Sequence, residues 1–155
     1  MADQAVLQVA LDFINLSQAL RAAREAVAGG ATWVEAGTPL VKSEGMAAVR
    51  ALRAEFPQLT VIADLKIMDA GRVEVEMAAK AGANVVTVLA AASDETITEC
   101  VEAGRNYDAL VQVDLIGCPT PVERARRAEE LGAAIVGIHT AIDEQMVGAD
   151  PLDTL

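Results

Sequence analysis

An α/β fold of repeated strand–helix units is what this sequence predicts, on three observations. Short runs rich in Val and Ile alternate with longer stretches rich in Ala, Glu, Arg and Lys. Ionisable residues recur where those runs end, at Asp12, Glu35, Asp64, Asp114 and His139, and their spacing gives a unit of about 25 residues. Glycines fall where helices should stop. This alternation implies parallel strands joined by helical crossovers.

Each element has its own justification. Strands are expected at 6–11, 32–35, 59–63, 84–89, 109–113 and 134–138, because short apolar β-branched runs suit a sheet buried on both faces. Helices are expected at 16–28, 42–55, 72–81, 94–103 and 122–131. Ser17, Ser43 and Ser93 are candidate N-caps, with Asn15 competing for the place of Ser17. Pro121 can open the helix that follows Thr120. Gly29-Gly30, Gly82, Gly104 and Gly132 are candidate helix ends.

Six units fall short of the eight in a closed barrel, whereas an open doubly wound sheet could end at six. The strand ends favour the barrel. Five of the six carry an ionisable residue, and a barrel would gather these at one mouth. The expected architecture is therefore a (β/α)8 TIM barrel, one domain over 1–155, with only about six units present. The two C-terminal units, roughly 50 residues, are expected to be missing. The tail Asp150-Pro151-Leu152-Asp153-Thr154-Leu155 reads like the start of another helix, which fits a truncated, incomplete or split barrel.

Composition narrows the function classes. The chain has 155 residues, 53% of them apolar and 23% charged, as in soluble globular proteins. Aromatics are only 3%, so Ala, Val, Leu and Ile must build the core. No run approaches the ~18 apolar residues of a membrane helix. Met1-Ala2-Asp3-Gln4 lacks the basic start of a signal peptide, and Cys100 and Cys118 lack metal-ligand spacing. A reduced, cytoplasmic protein is expected. The net charge of -11 argues against a nucleic-acid partner. It leaves room for a small phosphorylated substrate, because a helix N-terminus or a bound metal can act locally.

The densest candidate site is Asp64-Leu65-Lys66-Ile67-Met68-Asp69, placed where a buried strand should end. Charges are rarely buried without partners. A strand-end Asp often only caps a loop, but five ionisable strand ends at one period point to a shared mouth. His139 follows an apolar run; imidazole titrates near neutrality and suits acid–base work. Glu35 and Asp64 sit on neighbouring strands and offer hard oxygens of the kind Mg²⁺ takes; loop capping, or pairing with Lys66, is the other reading. Arg21 and Lys42 read as surface charges. Glu123, Arg124, Arg126, Arg127, Glu129 and Glu130 read as a solvated helix face.

The spacing D-x-K-x-x-D resembles the signature of the orotidine monophosphate decarboxylase superfamily. Four further segments occur in order: Val9-Ala10-Leu11-Asp12, Val34-Glu35-Ala36-Gly37-Thr38-Pro39, Val113-Asp114-Leu115-Ile116-Gly117 and Gly137-Ile138-His139-Thr140. Together the five resemble the 3-hexulose-6-phosphate synthases, a branch of that superfamily, and the tail Ile142-Asp143-Glu144-Gln145-Met146 also fits.

This resemblance implies a (β/α)8 barrel and a Mg²⁺-dependent aldol reaction through an enediolate. Formaldehyde and D-ribulose 5-phosphate would be interconverted with D-arabino-hex-3-ulose 6-phosphate, the formaldehyde-fixing step of the ribulose monophosphate pathway. By the same resemblance, Glu35 and Asp64 would hold the metal at the sugar's oxygens, and Lys66 would stabilise developing negative charge. His139 would be the base or proton shuttle. Asp114 and Asp12 would orient substrate hydroxyls and Lys66. Asp69 would reach into the partner's site in a homodimer with shared active sites. Relatives hold the substrate phosphate largely with the last two strand–helix loops. The isolated 155 residues are therefore expected to lack most of that site, and inactivity alone would be no surprise.

The nearest rival is 3-keto-L-gulonate 6-phosphate decarboxylase. Those relatives carry Glu where this chain has Asp114, and Arg three residues after the histidine, where it has Ile142. Both departures favour the synthase. Orotidine monophosphate decarboxylase itself fits Glu35 and the His139 region less well. A third reading, of another class, is a non-catalytic barrel fragment that needs a partner chain.

Overall fold

A computed structural model of the chain describes residues 5–149. The elements alternate as β1 (Gln8–Leu11), α1 (Leu16–Ala28), β2 (Trp33–Ala36), α2 (Thr38–Glu44), α3 (Met46–Glu55), β3 (Thr60–Ile67), α4 (Gly71–Lys80), β4 (Val85–Leu89), α5 (Asp94–Tyr107), β5 (Leu110–Asp114), α6 (Pro121–Glu130), β6 (Ile135–Gly137) and α7 (Ile142–Gln145). The strand order is β1-β2-β3-β4-β5-β6. Each strand lies beside its neighbour in the chain. That is singly wound barrel order, not the reversing order of a doubly wound sheet. The tail 150–155, expected to begin a helix, lies outside the described residues.

Two compact units divide the chain. The first takes in the described residues up to Leu65 together with Met77–Val86; the second takes in Lys66–Glu76 and the described residues from Thr87 onward. In the first, β1 pairs parallel with β2, and β2 with β3, with Ala10 opposite Glu35 and Glu35 opposite Ile62. Its core is aliphatic: Leu11, Val34, Leu40, Val49, Leu52, Val61 and Ile62 are fully buried. In the second, β5 pairs parallel with β6, with Asp114 opposite Gly137. Its buried residues include Ile67, Val75, Val88, Ile97, Cys100 and Val113. Burying one such Val, Leu or Ile contributes about 1.5–3 kcal/mol, which makes good the shortage of aromatics.

Five local expectations are corrected. The single helix expected at 42–55 is two, α2 and α3, broken at Gly45 (φ 61°, ψ −155°), a backbone shape essentially reserved for glycine. Ser43 therefore lies inside α2, where its hydroxyl donates to the Ile14 carbonyl at 2.7 Å. Asn15, not Ser17, caps α1: its Oδ1 accepts the N–H groups of Ser17 and Gln18. Helix α5 continues through Gly104 and ends at Asp108 in the left-handed region. The reason for Gly104 is close approach, since a Cβ there would lie 2.5 Å from the Ala109 carbonyl oxygen. Strand β3 does not stop before the charged motif but carries Asp64 and Lys66 within it. Ser93 caps α5 as expected, accepting the Thr96 N–H at 3.2 Å.

Two arginines brace the framework. In the first unit, Arg53 donates to the carbonyls of Gly82 (3.0 Å), Pro57 (3.2 Å) and Leu59 (2.9 Å) and to the side chain of Asn84. The same Asn84 Oδ1 accepts the Val61 N–H at 3.0 Å, where β3 begins. These bonds lie at the N-terminal ends of the strands, the face of such folds that supports stability. In the second unit, Arg124 is not a solvated charge. Its side chain is 17% exposed, donates to the Ala90 and Ala92 carbonyls at 2.7 Å each, and pairs with Asp94.

Candidate active site

The first unit holds Asp12, Glu35 and Asp64. Alternate residues of a strand share a face. Glu35 stands opposite Ile62, so Asp64, two residues on, faces the same way one step nearer the C-terminal end of β3. Gln8 donates its side-chain amide to Glu35. Asp64 is only 6% exposed, and Thr38 donates its hydroxyl to Asp64 Oδ2 at 2.7 Å. Thr38 opens α2, so the β2–α2 turn orients a carboxylate on β3. Asp12 follows β1 and lies over Gly37, where a Cβ would fall 2.1 Å from Asp12 Oδ1. A side chain at position 37 would therefore push the exposed Asp12 carboxylate aside.

The second unit joins Lys66, Asp114 and His139. Asp114 ends β5 and is 3% exposed. Its Oδ2 lies 3.1 Å from Lys66 Nζ and 2.8 Å from His139 Nδ1. Its Oδ1 accepts the Ile116 N–H at 2.9 Å. The register explains the meeting: Asp114 opposes Gly137, and His139 lies two residues beyond. Burial pushes the Asp114 carboxyl up. The His139 hydrogen bond, the Ile116 N–H and the charges of Lys66 and His139 outweigh that and hold it below the usual range.

Lys66 has φ 49°, uncommon for a residue with a side chain. Its N–H donates at 3.0 Å to the hydroxyl of Thr87, itself 2% exposed on β4. Strained backbone of this kind persists only where the surroundings fix it, and it concentrates at functional sites. Asp69 is exposed and precedes Ala70, also at positive φ (52°). Glu74 on α4 is pushed up, first by burial and then by the charge of Asp69.

Asp12, Glu35 and Asp64 thus fall in the first unit, and Lys66, Asp69, Asp114 and His139 in the second. Lys66, Asp114 and His139 are brought into direct contact, whereas Asp69 lies exposed beyond β3. Arg21 and Lys42 are exposed, as expected of surface charges. Three residues escaped the sequence reading. Thr38 lay inside a quoted motif without a role. Thr87 was the lone polar residue of a Val-rich strand, which was its signal. Gly37 lay in the same motif as Thr38, likewise without a role.

The arrangement suits proton abstraction beside a carbonyl. An imidazole and an ammonium share one buried carboxylate, so a base and a positive charge are held together. Among the described residues, no three His, Cys, Asp or Glu side chains are grouped as a metal cage.

Residues 5–154 match the model of the orotidine 5'-phosphate decarboxylase / HUMPS family. The 3-hexulose-6-phosphate synthase of Bacillus subtilis is 40% identical over 149 residues, 96% of this chain and 70% of that protein. That of Mycobacterium gastri is 42% identical over 139 residues, 90% of this chain and 67% of that protein. A crystal structure of a 3-hexulose-6-phosphate synthase superposes with a TM-score of 0.91 at 42% identity, covering 94% of this chain and 70% of the other. The 3-keto-L-gulonate-6-phosphate decarboxylase of Vibrio cholerae superposes at 0.85 and 32% identity, covering 97% and 72%. The six strands are accordingly units of a (β/α) barrel, and the chain belongs to the orotidine 5'-phosphate decarboxylase / HUMPS family.

Proposed function

We propose that the chain is an aldehyde-lyase of the 3-hexulose-6-phosphate synthase type, joining formaldehyde to D-ribulose 5-phosphate and running in reverse. The observation that carries this reading is the Lys66–Asp114–His139 network, built on an Asp at the end of β5. His139 takes a proton from the carbon beside the ketone of ribulose 5-phosphate. The C–H electron pair moves into the carbonyl, giving an enediolate whose charge Lys66 stabilises. That carbon attacks formaldehyde, a C–C bond forms, and the former formaldehyde oxygen takes up a proton. Formaldehyde offers almost no binding handle, so affinity comes from the sugar phosphate. Asp12 and Asp114 orient its hydroxyls.

The donors at Glu35 and Asp64 fit Mg²⁺, which takes one or two carboxylates and completes its shell with water and substrate. The Thr38 hydroxyl bound to Asp64 is the kind of partner that orients a ligating carboxylate. Mg²⁺ held there would supply Lewis-acid charge to the ketone oxygen. Asp69, exposed after β3, would serve the site of a second copy in a homodimer. A single barrel domain in the cytoplasm completes the reading.

Decarboxylation of 3-keto-L-gulonate 6-phosphate is the second reading, supported by the 0.85 superposition. Asp114 in place of Glu, and Ile142 in place of Arg, speak against it. The test supplies the chain and Mg²⁺ with ribulose 5-phosphate and formaldehyde, and separately with 3-keto-L-gulonate 6-phosphate. Hexulose phosphate is expected in the first mixture, together with deuterium exchange at carbon 1 of ribulose 5-phosphate in D₂O. Carbon dioxide from the second mixture alone would favour the decarboxylase. Neither product nor exchange from the chain alone would favour the third reading, a barrel fragment that needs a partner chain, and no product from a full-length barrel carrying these residues would overturn the synthase. In an active preparation, Asp64→Asn is expected to abolish Mg²⁺-dependent turnover, and retained activity would refute the ligand assignment.

A further inference from the structure

We infer that Asp114 is a positioning residue that sets the tautomer of His139, keeping the ring proton on Nδ1 and the basic lone pair on Nε2. This rests on the reading of His139 as the base. An ionised carboxylate only accepts hydrogen bonds. Both oxygens of Asp114 are engaged, Oδ1 by the Ile116 N–H at 2.9 Å and Oδ2 by Lys66 Nζ at 3.1 Å and His139 Nδ1 at 2.8 Å. A lone pair on Nδ1 would face the Oδ2 lone pairs at 2.8 Å, so the neutral ring must present Nδ1–H to that oxygen. The burial of Asp114 sharpens the preference, because little water reaches Oδ2 to offset a lone-pair clash.

Lys66 has a second part here. Its ammonium on the same oxygen helps keep Asp114 an anion. The carboxylate therefore stays an acceptor and does not take the ring proton. When Nε2 accepts a proton from substrate carbon, the C–H bond breaks, an N–H bond forms, and the electron pair remains with the substrate. The ring then carries both N–H groups, with Asp114 facing the one on Nδ1. The Ile116 N–H, two residues along the chain, fixes the rotation of the carboxylate. The tautomer is thus set by the turn that follows β5.

The chain has one histidine, so its ring nitrogens can be read without assignment. Chain labelled with ¹⁵N-histidine is to be examined by long-range ¹H–¹⁵N correlation at a pH where the ring is neutral. The expected spectrum shows a protonated Nδ1 and an unprotonated Nε2. A protonated Nε2, or an averaged mixture of tautomers, would overturn the inference. Asp114→Asn keeps the shape but offers an amide. It is expected to lose the single-tautomer spectrum and to lower kcat by about 100-fold or more. Asp114→Glu, which restores a carboxylate, is expected to recover the Nδ1–H tautomer. If Asp114→Asn does not fold, the spectrum of the unaltered chain still decides. The expected spectrum without any turnover would leave the tautomer assignment standing and count against the proposed reaction alone.

Discussion

At the scale of single residues, the second-unit site is organised around one carboxylate. Asp114 is held below its ordinary range in the folded chain, so it contributes stability that is fully present above the unfolded carboxylate value, about pH 4. That contribution fades as pH falls through the depressed folded value. Urea unfolding followed from pH 7 down to pH 3 should show the loss, and Asp114→Asn should flatten it. Gly37 makes a prediction of a different kind. A methyl group there would displace the Asp12 carboxylate, an exposed side-chain end that can swing aside at little cost to folding. Gly37→Ala should therefore disturb Asp12, read as a loss of turnover, while moving the thermal midpoint little. Asp12, Glu35, Asp64, Asp114 and His139 were legible in the sequence because they recur at the repeat period. Thr38, Gly37 and Thr87 were not, because each acts through a partner 21 or more residues away, or through the space it leaves.

At the scale of elements, the strand–helix alternation was readable throughout, and the misreadings have physical causes. Helices α2 and α3 looked like parts of one stretch because Gly45 sits in a helical composition, and only its φ of 61° ends the run. Gly104 resembled a helix stop, yet it stays in α5 so that the backbone at Ala109 can pack against it. Strand β3 outlasted its apolar run because Asp64 and Lys66 find partners in Thr38, Thr87 and Asp114. Arg124 matched a solvated helical pattern, but its side chain reaches back to the Ala90 and Ala92 carbonyls. Arg124→Ala should strip those carbonyls of a charged donor and cost about 1.5–3 kcal/mol in urea unfolding. A loss below about 0.5 kcal/mol would return Arg124 to the class of surface charges.

At the scale of the whole molecule, the net charge of -11 sets a self-repulsion that no single ion pair removes. Raising the salt from 10 mM to 150 mM shortens the screening length from about 30 Å to about 8 Å. The thermal midpoint should rise over that range, and a fall would show that attractive ion pairs dominate instead. The singly wound strand order was foreshadowed by the period of the strand-end residues, whereas the division into two compact units left no mark in composition. The chain's two thiols also differ in kind. Burial first, then the charges of Glu74 and Glu99, push Cys100 up to about 12, which leaves it almost wholly protonated and unreactive at neutral pH. Cys118, half-buried, lies in the turn that follows β5. A maleimide dye should therefore attach at one place only, four residues beyond Asp114, and provide an optical reporter beside that buried carboxylate without any engineered cysteine.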